Sequence, residues 1–176
     1  NLAAMLWSDE RTEDAIALLR RAVAADPDNA EAQVNLGQLL LNRGELAEGW
    51  RRLEARRRIA HAMQPPPGVR EWTGPGDRCR RLLVIAEQGL GDELMFASCL
   101  ADLAAAQPRT TLVLECDPRL APLFARSFPG CEVRPYRLTA SRLRANRRDW
   151  LADAPVDAFV PAGTLPLHFR ADAEDF

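Results

Sequence analysis

Leu82-Leu83-Val84-Ile85-Ala86-Glu87-Gln88-Gly89-Leu90-Gly91-Asp92-Glu93 is the stretch whose reading decides the fold. Its first five residues form an unbroken apolar run, the pattern of a parallel strand covered on both faces. A glycine turn follows, and an amphipathic helix is expected from about Asp92 to Ala106. A strand that turns directly into a helix places this segment at the carboxyl end of a sheet, where open α/β folds bind ligands. Gly89 and Gly91 let the backbone approach a ligand closely, unless they serve only to shape the turn. The first helical turn offers unpaired N–H groups and positive dipole to a phosphate or a developing oxyanion. Asp92 stands at that terminus, where a carboxylate either caps the helix or takes a proton from a hydroxyl nucleophile. Glu87 reads first as an acceptor for the following loop amides.

The same alternation continues downstream. Thr110 to Glu115 reads as a strand, and Pro118 sits near the first turn of a helix through Phe128, where proline is tolerated. Pro129-Gly130 is a turn into a third strand that starts at Cys131. Residues 139–152 read as another helix and Val156 to Val160 as a fourth strand. Gly163-Thr164-Leu165-Pro166 then opens a short final helix. Strands alternating with helices imply right-handed crossovers and a parallel sheet.

Upstream the period is helical. Asp26-Pro27-Asp28-Asn29 stops one helix, because proline lacks an amide donor and disfavours helix before it. Leu36-Gly37 recurs 34 residues after Leu2-Ala3. Gly37 lets two helices of a hairpin approach closely, Asn42-Arg43-Gly44 makes the turn, and a second helix is expected from Glu45 through Arg58. Gly49 stands at its small position, followed by the heavy, charged Trp50-Arg51-Arg52-Leu53-Glu54. Pro65-Pro66-Pro67-Gly68 reads as an extended linker, and Trp72 as a plug at the junction of the two halves. The resulting division is residues 1–60 as repeats, 61–78 as a linker and 79–176 as the α/β part.

Composition narrows the chemistry. The formal net charge is -2, so no nucleic acid or other polyanion is implied as a partner. All 23 basic residues are arginine, which excludes Schiff-base lysine chemistry. The four cysteines, Cys79, Cys99, Cys116 and Cys131, form no C-x-x-C pair, and only His61 and His168 could join them. No metal site is therefore expected, and the thiols read as reduced ones of a cytoplasmic protein. No apolar run reaches the roughly 20 residues needed to span a bilayer. The chain opens on Asn1 with helical pattern at once, so its start reads as cut from something longer.

Leu2, Ala15, Leu19, Ala22, Pro27, Leu36, Gly37 and Leu53, on a 34-residue period, resemble tetratricopeptide repeats, the second of them a capping one. Almost the whole chain resembles bacterial tetratricopeptide proteins that carry a heptosyltransferase-like glycosyltransferase domain. Trp50-Arg51 with Glu54, Trp72-Thr73-Gly74, Leu82 to Ala86, Glu87 to Asp92, Phe96-Ala97, Pro129-Gly130, Val156-Asp157-Ala158 and Gly163 to Pro166 carry that resemblance in order. The fold class it implies is α followed by α/β: helical hairpins, then a Rossmann-like parallel-sheet domain forming the amino-terminal half of a GT-B fold. The resemblance further implies metal-independent glycosyl transfer without a cofactor, a nucleotide sugar being the donor substrate. Asp92 is then the candidate base, and Glu87, Gln88, Gly89, Leu90 and Gly91 form the substrate or phosphate loop. Gly163, Thr164 and His168 are possible cleft residues. The donor would bind mainly to a second Rossmann-like domain beyond Phe176, so these 176 residues alone are expected to be inactive. The acceptor would be a protein or glycan, and the repeats would offer a groove to a peptide partner.

Two other readings stand beside this one. The chain could be a non-catalytic scaffold, with the repeats binding a partner and the α/β half as a buttress. It could instead use a dinucleotide: Gly89 and Gly91 fit G-x-G-x-x-G and Glu115 stands where a ribose-binding acid would be, but Leu94 occupies the third glycine position. Arg134, Arg137, Arg142, Arg144, Arg147 and Arg148 read as a solvated helix face rather than a phosphate site.

Overall fold

The computed structural model describes residues 11–59, 64–137 and 148–176. The chain divides into two compact units, Asn1–Ala62 with Arg170–Phe176, and Met63–Phe169.

The first unit is built from helices α1 (Thr12–Ala25), α2 (Ala30–Asn42) and α3 (Leu46–Leu53). Proline and a cap separate the first two: the Asn29 side chain accepts from the Ala32 amide at 2.9 Å, satisfying one of the free donors that open α2. Gly44, at φ +81°, makes the left-handed turn before α3. The core places Ala15, Ile16, Leu19 and Val23 against Ala32, Leu36, Leu39 and Leu40. Burying each such leucine contributes about 1.5–3 kcal/mol. The close approach at Gly37 is enforced by backbone: a Cβ there would lie 2.9 Å from the Gly49 carbonyl oxygen and 3.0 Å from the Leu53 nitrogen. The helix expected through Arg58 is α-helical only to Leu53 and tightens to a 3₁₀ turn over Glu54–Arg58. Trp50 is buried, and its indole N–H donates to the Arg170 carbonyl at 2.9 Å. That contact uses the tryptophan's polar edge as well as its apolar body.

The second unit holds strands β1 (Arg70–Glu71), β2 (Arg81–Ile85), β3 (Thr111–Cys116), β4 (Glu132–Pro135) and β5 (Ala158–Pro161). They form one sheet in the order β1-β5-β2-β3-β4, and every pairing is parallel. Central β2 lies between β3 and β5, which explains its apolar run: Leu82, Leu83, Val84 and Ile85 are all buried. Helices α4 (Leu90–Ala97) and α5 (Leu100–Ala106) follow β2, α6 (Ala121–Ser127) follows β3, and α7 (Leu165–Phe169) follows β5.

Four further features differ from the sequence expectation. The single helix from Asp92 to Ala106 is two helices, broken at Ser98-Cys99. The segment read as linker supplies the edge strand β1, and the Trp72 amide extends it by donating to the Phe159 carbonyl at 2.8 Å. Trp72 packs inside the α/β unit, 2% exposed, with its ring edge-on to His168 at 5.1 Å and near Phe169 at 6.5 Å. Residues 149–152, expected as the end of a helix, form a 3₁₀ turn, and the rest of that helix falls on residues 139–147, outside the described ones, or on the coil residue Arg148. No helix among the described residues is long and apolar enough to cross a membrane.

Candidate functional site

The chain runs from β2 to β3 and β4 on one side, then returns to the other side of β2 as β5. The topological switch point therefore lies between β2 and β5, and the loops leaving their carboxyl ends diverge there. Such a crevice is where open α/β sheets take ligands. Glu87 follows β2 and Gly163 follows β5, and the structure joins them: buried Glu87 accepts from the Gly163 amide at 2.7 Å. Thr164 is buried in the same turn. The two segments singled out in the sequence thus meet across the switch point.

Within the turn each residue has a distinct geometry. Gln88 is exposed and has φ +61°, a left-handed conformation that a side chain of this kind rarely adopts. Gly89 precedes α4 in an extended conformation, and its amide donates to Asp92 Oδ2 at 3.0 Å. Asp92 therefore caps the helix by reaching back from its third position, half of a capping box. Among the described residues no other donor reaches the Asp92 carboxylate, which is half-buried and keeps lone pairs free. Leu90 is half-buried and packs towards Cys116, Leu120 and Phe124. Neither Gly89 nor Gly91 has a positive φ. A Cβ at Gly91 would meet nothing within 4 Å, and one at Gly89 would make only an ordinary contact, 3.5 Å from Asp92 Oδ2. The protein's own chain does not require glycine at either position, so turn shaping alone does not account for them.

His168 lies elsewhere in the same unit. It packs on Trp72 and lines an open depression of about 520 Å³ with Arg70, Thr73, Gly74 and Asp77. The structure does not bring it to the Glu87–Asp92 turn. Glu115 is not free to hold a ribose. Both its oxygens take Arg148, through Nε and, at 3.1 Å, through Nη2, and the two side chains are 2% and 6% exposed. Arg148 consequently belongs to the interior rather than to a solvated face, and burial lowers its pKa. Arg134 also pairs, with Glu132, and lies over the Trp150 ring at 5.4 Å. Arg137 is exposed, and Arg142, Arg144 and Arg147 lie outside the described residues.

A carboxylate network beside the turn was not evident in the sequence. Buried Glu93 accepts from the Asp117 amide at 2.8 Å, and the Tyr136 hydroxyl lies 3.1 Å from Glu93 Oε1 and 3.2 Å from Asp117 Oδ2. One phenol proton serves one carboxylate at a time. Arg119 balances the second charge by donating Nε and Nη2 to Asp117 at 2.9 and 2.8 Å. The Arg119 hydrogen bonds hold the Asp117 carboxyl down at about 2. Burial pushes the Tyr136 phenol up, and the Glu93 and Asp117 carboxylates add to that. Burial likewise pushes the Cys116 thiol up to about 12, with help from the same two acids. Tyr136 and Cys116 therefore keep their protons and Asp117 its charge at neutral pH, and the network ties the start of α4 to the ends of β3 and β4. The cavity inside this wall is only about 20 Å³, room for one water. No group of three or more His, Cys, Asp and Glu side chains placed to hold a metal exists among the described residues.

A tetratricopeptide-repeat family model matches residues 6–62. The chain carries a tetratricopeptide region. Over 131 residues, 72% of this chain, it is 41% identical to Protein FlbA of Caulobacter vibrioides, a bacterial protein. That match spans 22% of the relative's own length. No solved structure matches the chain significantly. A tetratricopeptide region points to protein–protein interaction, since stacked helical hairpins present extended surfaces to partners. The α/β unit, a parallel sheet flanked by helices, follows that region.

Proposed function

We propose that the chain couples a protein-recruiting tetratricopeptide region to the acceptor-side half of a GT-B glycosyltransferase. The observation that carries this reading is the hydrogen bond between Glu87 and the Gly163 amide. It sets the Gln88–Asp92 turn beside the loop after β5, at the switch point of a parallel sheet. Gly91, which nothing in the chain crowds, supports a close approach by a ligand at the amino terminus of α4. Asp92 is the proposed base, with free lone pairs directed by the amide that holds its other oxygen. The nucleotide sugar would be held mainly by a further Rossmann-like domain, and the acceptor would be a protein or glycan delivered by the repeats. Transfer or hydrolysis of a nucleotide sugar by the natural full-length protein, lost in Asp92→Asn with binding retained, is the expected result. Equal turnover by the variant removes Asp92 from the chemistry.

A non-catalytic scaffold is favoured by a different observation. The Asp92 carboxylate already has a structural task in capping α4, and the repeat match is the firmest likeness in the first unit. On that reading the intact chain captures a peptide or protein through its repeats. The full-length protein then binds no nucleotide sugar in a calorimetric titration.

A further inference from the structure

The amino-terminal edge of the sheet, opposite the Glu87–Asp92 turn, carries a second candidate site. A depression of about 590 Å³ lies at the starts of β2, β3 and β5, lined by Arg78, Arg80, Gln107, Arg109, Thr110 and Asp157. That volume is the size of an ordinary small-molecule site.

Its floor is fixed and satisfied from within. Gln107, 2% exposed, donates its amide to the Pro75 carbonyl at 3.0 Å and to the Asp77 carbonyl at 2.9 Å. The Thr110 hydroxyl donates to the Cys79 carbonyl at 2.6 Å. Asp157 Oδ2 accepts the amides of Arg80 and Arg81 at 2.8 and 2.9 Å, and those bonds hold its carboxyl below the usual range. The polar groups of the floor are thus taken.

The guanidiniums around it are not. The side chains of Arg78, Arg80 and Arg109 make no hydrogen bond or ion pair among the described residues, and the Arg80 guanidinium meets Asp157 only through space. Several other arginines are paired, Arg43 with Glu13, Arg52 with Glu48, Arg70 with Asp77, Arg81 with Glu132 and Arg119 with Asp117. Exposed Arg21, Arg126 and Arg137 stand singly among the described residues; what sets Arg78, Arg80 and Arg109 apart is that they line one depression. Three cations facing one committed carboxylate make a local positive excess, in a chain whose net charge is -2. Several guanidinium forks around one depression match the several acceptor oxygens of a phosphoryl group, whereas one carboxylate fills one fork. The chain's net charge of -2 argues against a nucleic-acid backbone as the ligand.

We propose that this depression binds a small molecule through a phosphoryl group held by Arg78, Arg80 and Arg109. The site is independent of the glycosyltransferase reading, because it lies at the opposite end of the strands.

Inorganic pyrophosphate is the probe, titrated calorimetrically into the intact chain at low ionic strength. Saturable one-to-one binding is expected. Each single variant, Arg78→Gln, Arg80→Gln or Arg109→Gln, should weaken it about tenfold, the scale of one lost charge-assisted bond. The triple variant should abolish it, and Arg126→Gln, an exposed arginine that does not line the depression, should leave it unchanged. All three side chains are exposed and unpaired, so the folded state should survive, and the single variants decide the matter if the triple one melts. No saturable binding, equal affinity in the variants, or malonate binding as tightly as pyrophosphate would each overturn the assignment.

Discussion

Gly91→Ala separates a glycine required by the fold from one required by a ligand. Gly91 occupies the second position of α4, has no positive φ, and a Cβ there would meet nothing within 4 Å. Alanine should therefore enter without strain. In a helix interior it gains about 1 kcal/mol over glycine, and it also restricts the unfolded chain. In a first turn the gain should be smaller, about 0.5 kcal/mol. For a unit of this size that raises the melting temperature by about 2–4 °C. Gly44→Ala is the control. It too has nothing within 4 Å of a Cβ, but its φ is +81°, so alanine should cost about 1 kcal/mol through backbone strain alone. Thermal unfolding of both variants by circular dichroism, beside nucleotide-sugar turnover by the full-length Gly91→Ala protein, completes the comparison. On the glycosyltransferase reading, the expected pattern is a stabilised Gly91→Ala with at least tenfold lower turnover. A fall in its melting temperature would refute the steric reasoning. A stable variant with undiminished turnover would refute ligand approach as the reason for the glycine.

Three further outcomes follow from the geometry. Gly37→Ala places a methyl group against backbone atoms 2.9–3.0 Å away that cannot turn aside, so denaturant unfolding should show a loss of about 1–2 kcal/mol after the helix-propensity gain. Glu115→Gln leaves the Arg148 guanidinium buried without its carboxylate and should cost about 3–5 kcal/mol in the same assay, with much of it recovered in the double variant Glu115→Gln/Arg148→Met. Asp117, whose folded pKa of about 2 lies below its ordinary 3.8, stabilises the fold fully above about pH 4. That contribution is lost as pH falls towards 2, about 1 kcal/mol once solvent screening at exposed Arg119 is counted, and Asp117→Asn should flatten this part of the stability profile.

The legible parts of this chain are those where one local cause suffices. The run from Leu82 to Ile85 is apolar because β2 has a strand on each side and layers on both faces, and no distant residue is needed to read it. Pro27 and Asn29 mark a helix end and a helix start by their own chemistry. Strand β1 escapes such a reading because Arg70 and Glu71 are polar and their pairing with Ala158 and Phe159 is set 88 residues away. The break at Ser98-Cys99 has no glycine or proline to announce it, while the apolar period runs on across it. Arg148 read as part of a solvated arginine-rich stretch because its partner Glu115 is 33 residues distant. Glu93, Asp117 and Tyr136 likewise converge only once β3 and β4 pair in parallel.

What the fold adds to the stretch from Leu82 to Glu93 is a division of labour within it. Glu87 bridges two strand ends, Asp92 caps α4, and Glu93 anchors the loop after β3. Each of these acids has a partner that explains its presence. Gln88 and Gly91 have none. Gln88 holds a left-handed backbone that costs on the order of 1 kcal/mol, and Gly91 forgoes the helix stability that any other residue would bring. Two adjoining sacrifices, at the switch point of a parallel sheet, with acids on both sides fixing the frame, are the pattern of a loop shaped for something outside the chain. The partnered acids then make the test sharper. Glu87→Gln should disturb the frame and stability together, whereas changes at Gln88 and Gly91 should reach function without loss of stability.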